Sequence, residues 1–359
     1  MKGSQSMKVL LVEDSATVAA YVVSILGSEQ DIQLLPVATS AEEGVKSALD
    51  NRPDVILMDM KLPDRDGIWA IEEIMVEAPC PIVVLSGHLT SRERNITFES
   101  LRAGAVDVLA KPLGMDGQQR AAFRQSLVST VRLMSEAVVV RRMRARKRPE
   151  LAPAAATLKT QVSSRELRPI RQVLIGASTG GPELLFRLLG AIKPPFRLPI
   201  WITQHTLVGF DDSLAQWLSL TGHDVKCARQ GELPRAGCVR IAPAETGVKL
   251  AHGGLNLVPA RRGAPADTID TMFDSAAKAW GEQCLGIILT GMGKDGAAGM
   301  RALCDRGALT IGQSAATCVV SSMPDAAQAR LALRYSLSPE EIAGVLRELS
   351  ADRNIFPDL

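Results

Sequence analysis

The chain has 359 residues, enough for roughly two domains at about 150 residues each, and each is long enough to bury its own core. Its 41 Lys and Arg nearly cancel its 39 Asp and Glu, so the net charge of +2 gives no general attraction to nucleic acid or to an anionic membrane. An apolar content of 46% with only 4% aromatics suits parallel sheets covered by helices. The six cysteines (Cys80, Cys227, Cys238, Cys284, Cys304, Cys318) contain no C-x-x-C pair and read as reduced, small hydrophobes. No signal-peptide pattern opens the chain, and charges interrupt every apolar run before 18 residues. A cytoplasmic protein without membrane insertion is expected.

From Met7 onward, short apolar runs at 9–12, 32–38, 55–58, 82–85 and 106–109 alternate with amphipathic stretches at 16–26, 41–49, 67–76 and 91–103. Five βα units result, a doubly wound five-stranded parallel sheet over residues 7–125. Residues 126–168 change character. A helical pattern around 121–140 runs into Arg141, Arg142, Arg144, Arg146, Lys147 and Arg148, then into an Ala/Pro/Thr/Ser stretch, which reads as a linker. The basic run could touch nucleic acid, but such a run is usually a solvated helix end. A second alternating pattern fills 169–352, with strands at 173–175, 200–203, 239–242 and 285–289 and helical segments at 183–191 and 269–280. Residues 248–258, turning at His252-Gly253-Gly254, read as a hairpin, so this second doubly wound, mostly parallel sheet is expected to carry an antiparallel piece.

In the first domain Glu13 and Asp14 end the first strand, Asp59 the third and Ser86 the fourth, and Lys111 follows the fifth. Residues just past the carboxyl ends of parallel strands line one crevice, so these positions converge. Three carboxylates at one place repel each other unless a hard cation joins them, and oxygen ligands favour Mg²⁺. Asp59 could then attack phosphorus, with the Lys111 ammonium on the phosphoryl oxygens and the Ser86 hydroxyl bonding to the new group. Any one of these residues alone would more often be a cap or turn residue. The motifs V-E-D-S (Val12 to Ser15), M-D-M-K-L-P (Met58 to Pro63), D-G (Asp66-Gly67), L-S-G (Leu85 to Gly87) and K-P (Lys111-Pro112) resemble the response-regulator receiver family over residues 7 to 125. The resemblance implies phosphorylation of Asp59 by a chemotaxis-type histidine kinase, and Mg²⁺ held by Asp14, Asp59 and the Lys61 carbonyl, assisted by Glu13. Val108 departs from the aromatic that many receivers carry there.

In the second domain Gly176-Ala177-Ser178-Thr179-Gly180-Gly181 ends a strand and Pro182-Glu183 opens a helix. A serine on such a turn projects its hydroxyl beside helix N–H groups that can meet an oxyanion, although a phosphate loop or a plain tight turn fits the same pattern. The chain has four histidines. His88 belongs to the first domain, and His223 and His252 sit in turn sequences. His205, directly after the strand at 200–203, lies one strand over from Ser178 as a candidate base. Asp295, in the loop Leu289-Thr290-Gly291-Met292-Gly293-Lys294-Asp295-Gly296, stands at a third strand end and could orient the imidazole or serve as an N-cap.

These residues, with Q-H (Gln204-His205), G-x-L-P-x-A-G followed by I-A-P (Gly231 to Pro243) and M-P-D-A-A (Met323 to Ala327), resemble the CheB family of chemotaxis protein-glutamate methylesterases. The resemblance implies a Ser178–His205–Asp295 triad, the Met292 backbone N–H as an oxyanion donor and Thr179 beside the nucleophile. It also implies hydrolysis of glutamate methyl esters on methylated chemoreceptors, controlled by phosphorylation, with glutamine deamidation at the same site. No cofactor in the catalytic domain and a monomeric state are expected. Thr206-Leu207, Lys249, the start at Asp267-Thr268 and Gln313-Ser314-Ala315-Ala316 depart from the usual pattern. The alternative reading is a receiver-coupled, receptor-binding scaffold with an inactive hydrolase domain.

Overall fold

Short runs of Val, Ile and Leu with no polar face can be satisfied only in strands covered on both sides, and each such run forms a buried parallel strand. The computed structural model describes residues 6–87, 99–111, 117–137, 162–259 and 267–351. The chain divides into two compact units between Arg146 and Lys147.

The first unit runs β1 (Met7–Val12), α1 (Ala16–Leu26), β2 (Ile32–Leu34), α2 (Ala41–Asn51), β3 (Val55–Asp59), α3 (Gly67–Glu77), β4 (Ile82–Ser86), β5 (Asp107–Ala110) and α4 (Gly117–Met134). The sheet order is β2-β1-β3-β4-β5, and every pair is parallel. Chain direction across the sheet reverses between β1 and β3, which opens a crevice at the carboxyl edge there. β2 is shorter than its apolar run suggests. Pro36 lacks an N–H to continue the ladder, and Ala38 returns only as an isolated bridge to Val12. Residues 126–134, expected as linker, are the second half of α4 and bury Leu127, Val131 and Met134 in this unit. Of the helix expected at 91–103, residues 91–98 lie outside the described residues, as do His88, Pro112 and the basic run 141–148.

The second unit starts within the expected linker. Val162 and Leu167 are buried, and α5 (Ser164–Leu167) is tied down through Glu166, which accepts from the Tyr335 hydroxyl and pairs with Arg334. There follow β6 (Gln172–Ala177), α6 (Gly181–Gly190), β7 (Ile200–Gln204), α7 (Asp211–Ser219), β8 (Asp224–Cys227), β9 (Cys238–Ile241), β10 (Thr246–Ala251), β11 (Gly254–Pro259), α8 (Thr268–Trp280), β12 (Cys284–Ile288), α9 (Ala297–Asp305), β13 (Leu309–Gln313), α10 (Ser322–Ala329), β14 (Tyr335–Leu337) and α11 (Pro339–Ala351).

Seven strands make a wholly parallel sheet in the order β14-β13-β12-β6-β7-β9-β8, and the hairpin β10-β11 is a separate two-stranded sheet packed on α8. The switch point lies between β6 and β12. Three strands, β8, β13 and β14, carry too little apolar patterning to be read from sequence: β8 (DVKC) and β14 (YSL) are edge strands, and β13 (LTIGQ) is broken by Thr and Gly. All six cysteines are free thiols, with Cys80, Cys284 and Cys318 buried. Burial pushes each of these three thiols up to about 12. Among the described residues no helix is long and apolar enough to cross a membrane.

Candidate active site

In the first unit Glu13, Asp59, Ser86 and Lys111 gather at the carboxyl edge of the sheet. Glu13, Asp59 and Ser86 are buried, while Asp14 is exposed beside them. One carboxylate oxygen from each of Glu13, Asp14 and Asp59 lies within 4.8 Å of the other two. The Lys111 ammonium stands 2.7 Å from Asp59 Oδ2 and 2.8 Å from Glu13 Oε2. Its main chain is held too, since Lys111 N–H donates to the Ser86 carbonyl at 2.6 Å. Met60 N–H donates to Asp59 Oδ1 at 2.6 Å, leaving Oδ2 toward Lys111.

Burial is the largest influence on the Glu13 carboxyl and holds it above its ordinary value, against the opposing pull of Lys111. For Lys111 burial acts downward, but the bonds to Asp59 and Glu13 outweigh it and hold the ammonium's pKa up. An oxygen-rich cluster of this kind suits a hard divalent ion with room for water. Lys61 lies two residues past Asp59 in an exposed turn, and Val108 is half-buried on β5 in register with Val84.

In the second unit Ser178, His205 and Asp295 stand at the carboxyl edge of the sheet, and His205 is bonded to Asp295. β6 and β7 pair to the register Ala177↔Gln204, so Ser178 and His205 are each one residue past the last pair. His205 N–H still donates to the Ala177 carbonyl at 3.0 Å. On its other side the serine turn is held by the extension of β12, with Ser178 N–H donating to the Thr290 carbonyl at 3.1 Å. Thr290 is a buried knot: its hydroxyl donates to the Thr179 carbonyl and accepts from Val320 N–H, and its own N–H donates to Gln313 Oε1. This close approach requires Gly291, where a Cβ would stand 2.7 Å from Ser178 Cβ and 2.1 Å from Met323 Sδ. Gly291 N–H and Gly293 N–H are tethered to the Val320 carbonyl and Ser322 Oγ, which fixes the Met292 peptide between them.

Nε2 of His205 lies 2.8 Å from Asp295 Oδ2. In the tautomer where Nε2 donates to Asp295, Nδ1 is left as the acceptor. Asp295 also accepts from Ile269 N–H (3.0 Å) and Asp270 N–H (2.9 Å), capping α8 from a distant part of the chain. Asp270 returns the favour to α9, accepting from Gly299 N–H at 2.6 Å. The two helix starts are therefore cross-capped by each other's acids. Burial, with the Asp295 charge adding, raises the Asp270 carboxyl above its ordinary value. Sequence reasoning assigned Asp270 no part here, because the acceptor and its donor are 29 residues apart.

The other described histidines stand elsewhere. His223 is buried with Nε2 on the Leu189 and Ile192 carbonyls at the end of α6, and His252 forms the hairpin turn against Trp280. Ser178 and Thr179 are 8% and 7% exposed, and Met292 is 37% exposed at the rim.

Residues 9–122 match the family described as the response regulator receiver domain, and residues 173–346 match the CheB methylesterase. A protein-glutamate methylesterase/protein-glutamine glutaminase of Nitrosospira multiformis is 37% identical over 352 residues, spanning 97% of this chain and 98% of that relative. The chain belongs to the CheB protein-glutamate methylesterase family. A second family relative, from Syntrophus aciditrophicus, is 38% identical over 351 residues, 96% of this chain and 98% of its own. Among solved structures, the CheB methylesterase catalytic domain of Thermotoga maritima aligns at 34% identity with a TM-score of 0.47, over 50% of this chain and 98% of that one. The order expected for the CheB family, receiver first and methylesterase second, is the order found.

Proposed function

We propose that the chain hydrolyses glutamate methyl esters on methylated chemoreceptors, and deamidates receptor glutamine at the same site, under control of Asp59 phosphorylation by a chemotaxis-type histidine kinase. The observation that carries this reading is the His205 imidazole bound through Nε2 to Asp295 at the strand end beside Ser178.

Ser178 Oγ attacks the ester carbonyl carbon while Nδ1 of His205 takes the hydroxyl proton. The same proton then goes to the departing methoxy oxygen, which leaves as methanol as the acyl-enzyme forms; a water deprotonated by His205 attacks the acyl carbon, and the proton passes to Ser178 Oγ as glutamate leaves. Asp295 keeps the imidazole in the Nε2–H tautomer. The Met292 N–H, held between two tethered glycines, receives the oxyanion, with Thr179 shaping the turn. Deamidation follows the same steps with ammonia leaving.

In the first unit Asp59 is the phosphoryl acceptor, Lys111 neutralises charge on the transferred group and Ser86 hydrogen-bonds to it. Glu13, Asp14, Asp59 and the Lys61 carbonyl would hold Mg²⁺, which when bound supplies charge neutralisation to the phosphoryl oxygens. Phosphorylation of Asp59 then raises the esterase turnover.

Methanol release from methylated receptor, with and without acetyl phosphate and Mg²⁺, tests the whole scheme. Ser178→Ala should cut turnover by at least about 10³-fold and abolish fluorophosphonate labelling. A wild-type chain that binds receptor but neither releases methanol nor reacts with the probe is the inactive scaffold instead.

A further inference from the structure

We infer that Gln204 is a positioning residue of the esterase site: its side-chain amide clamps the nucleophile's turn to the base's strand end. The inference rests on Ser178 and His205 acting as nucleophile and base. The β6–β7 ladder ends at Ala177↔Gln204. Beyond it the main chain of Ser178 turns away to Thr290, and its carbonyl accepts from Gly181 N–H. Beside the His205 N–H bond to the Ala177 carbonyl, one side-chain atom joins Ser178 to His205. Gln204 Nε2 donates to the Ser178 carbonyl at 2.9 Å and to the His205 carbonyl at 2.7 Å. Both N–H bonds of a single nitrogen are thus spent on the two residues whose side chains must meet.

The side chain is 4% exposed, and its Oε1 is buried with no hydrogen-bond partner among the described residues. A buried orphan acceptor costs about as much as the two neutral bonds contribute, so the amide is a poor choice for stability alone. The fold nevertheless makes room for it. At Gly181 a Cβ would stand 2.1 Å from Gln204 Oε1, so only glycine there leaves the amide its seat. A displacement of about 1 Å between reacting groups is enough to cost roughly 10²-fold in rate, and this clamp sets that separation.

The test uses the full chain with Gln204→Met, close in shape but without donors. Methanol release, the rate of fluorophosphonate labelling at Ser178 and the thermal midpoint are all measured. The expected result is a fall of about 10- to 100-fold in kcat and in labelling rate, with KM within about twofold and the midpoint little changed. Gln204→Asn, which keeps an amide one methylene too short to reach both carbonyls, should lose less. A Gln204→Met chain with kcat within about twofold of wild type, or activity lost only in step with loss of folded protein in both variants, overturns the inference. A wild-type chain that releases no methanol and leaves Ser178 unlabelled overturns the underlying reading instead.

Discussion

Asp295 meets both expectations for its residue type at once. An aspartate ahead of a helix is ordinarily a cap, and this carboxylate does cap a helix, though not the one it precedes. The same Oδ2 that receives Ile269 N–H receives His205 Nε2, so the cap fixes the aim of the acid. Asn at this position keeps one acceptor but must turn an NH₂ toward a donor, either the imidazole or a helix N–H. Asp295→Asn should therefore lower kcat by about 10³- to 10⁴-fold with KM nearly unchanged, measured by methanol release. If both kcat and KM keep their wild-type values, the acid has no part in orienting the base.

At the scale of elements, caps supplied from outside the helix recur. The start of α2 is capped by Ser40, which accepts from Glu43 N–H, and by Asp64 of the β3–α3 loop, which accepts from Ala41 and Glu42 N–H at 2.9 Å each. These bonds, chiefly that from Glu42, lower the Asp64 carboxyl from 3.8 to about 2. A carboxyl whose folded pKa is depressed adds stability above its unfolded value and loses it as pH falls through the folded one. The Asp64 contribution is thus complete above about pH 4 and disappears toward pH 2. Asp64→Asn should flatten the fall in stability of the first unit over that window, seen in thermal melts against pH. Asp31, held low by Arg132, and Glu43, held low by Thr39, remain in the variant and keep part of the slope. An unchanged slope would show that the contact to α2 carries no folding free energy.

For the whole molecule, two sheets with separate cores keep the acidic cluster and the candidate residues Ser178, His205 and Asp295 in different units. The two proposed chemistries can therefore be silenced one at a time. Chelating divalent metal should stop acetyl phosphate from labelling Asp59 while fluorophosphonate still labels Ser178. Restoring Mg²⁺ should return the Asp59 label and raise methanol release. Phosphorylation of Asp59 without any change in esterase rate would separate the receiver from control of the enzyme.

Much of this architecture was legible in the residues alone. Apolar runs of four to six residues ending in Glu13, Asp59, Ser86, Ala177 and Gln204 announce parallel strands, and chemistry in such sheets collects past their carboxyl ends. That rule places Ser178, His205 and Asp295 on one edge, as the coordinates do. The Gln204 bond to the Ser178 carbonyl, the crossed capping through Asp270 and the Lys111 bridge across two carboxylates left no trace in local pattern. Their partners lie 26, 29 and up to 98 residues away. Periodicity reports which face a side chain buries, because that depends on its near neighbours in the chain. Which donor meets which acceptor is decided only when distant segments are packed together, so hydrogen bonds of this kind belong to the tertiary structure.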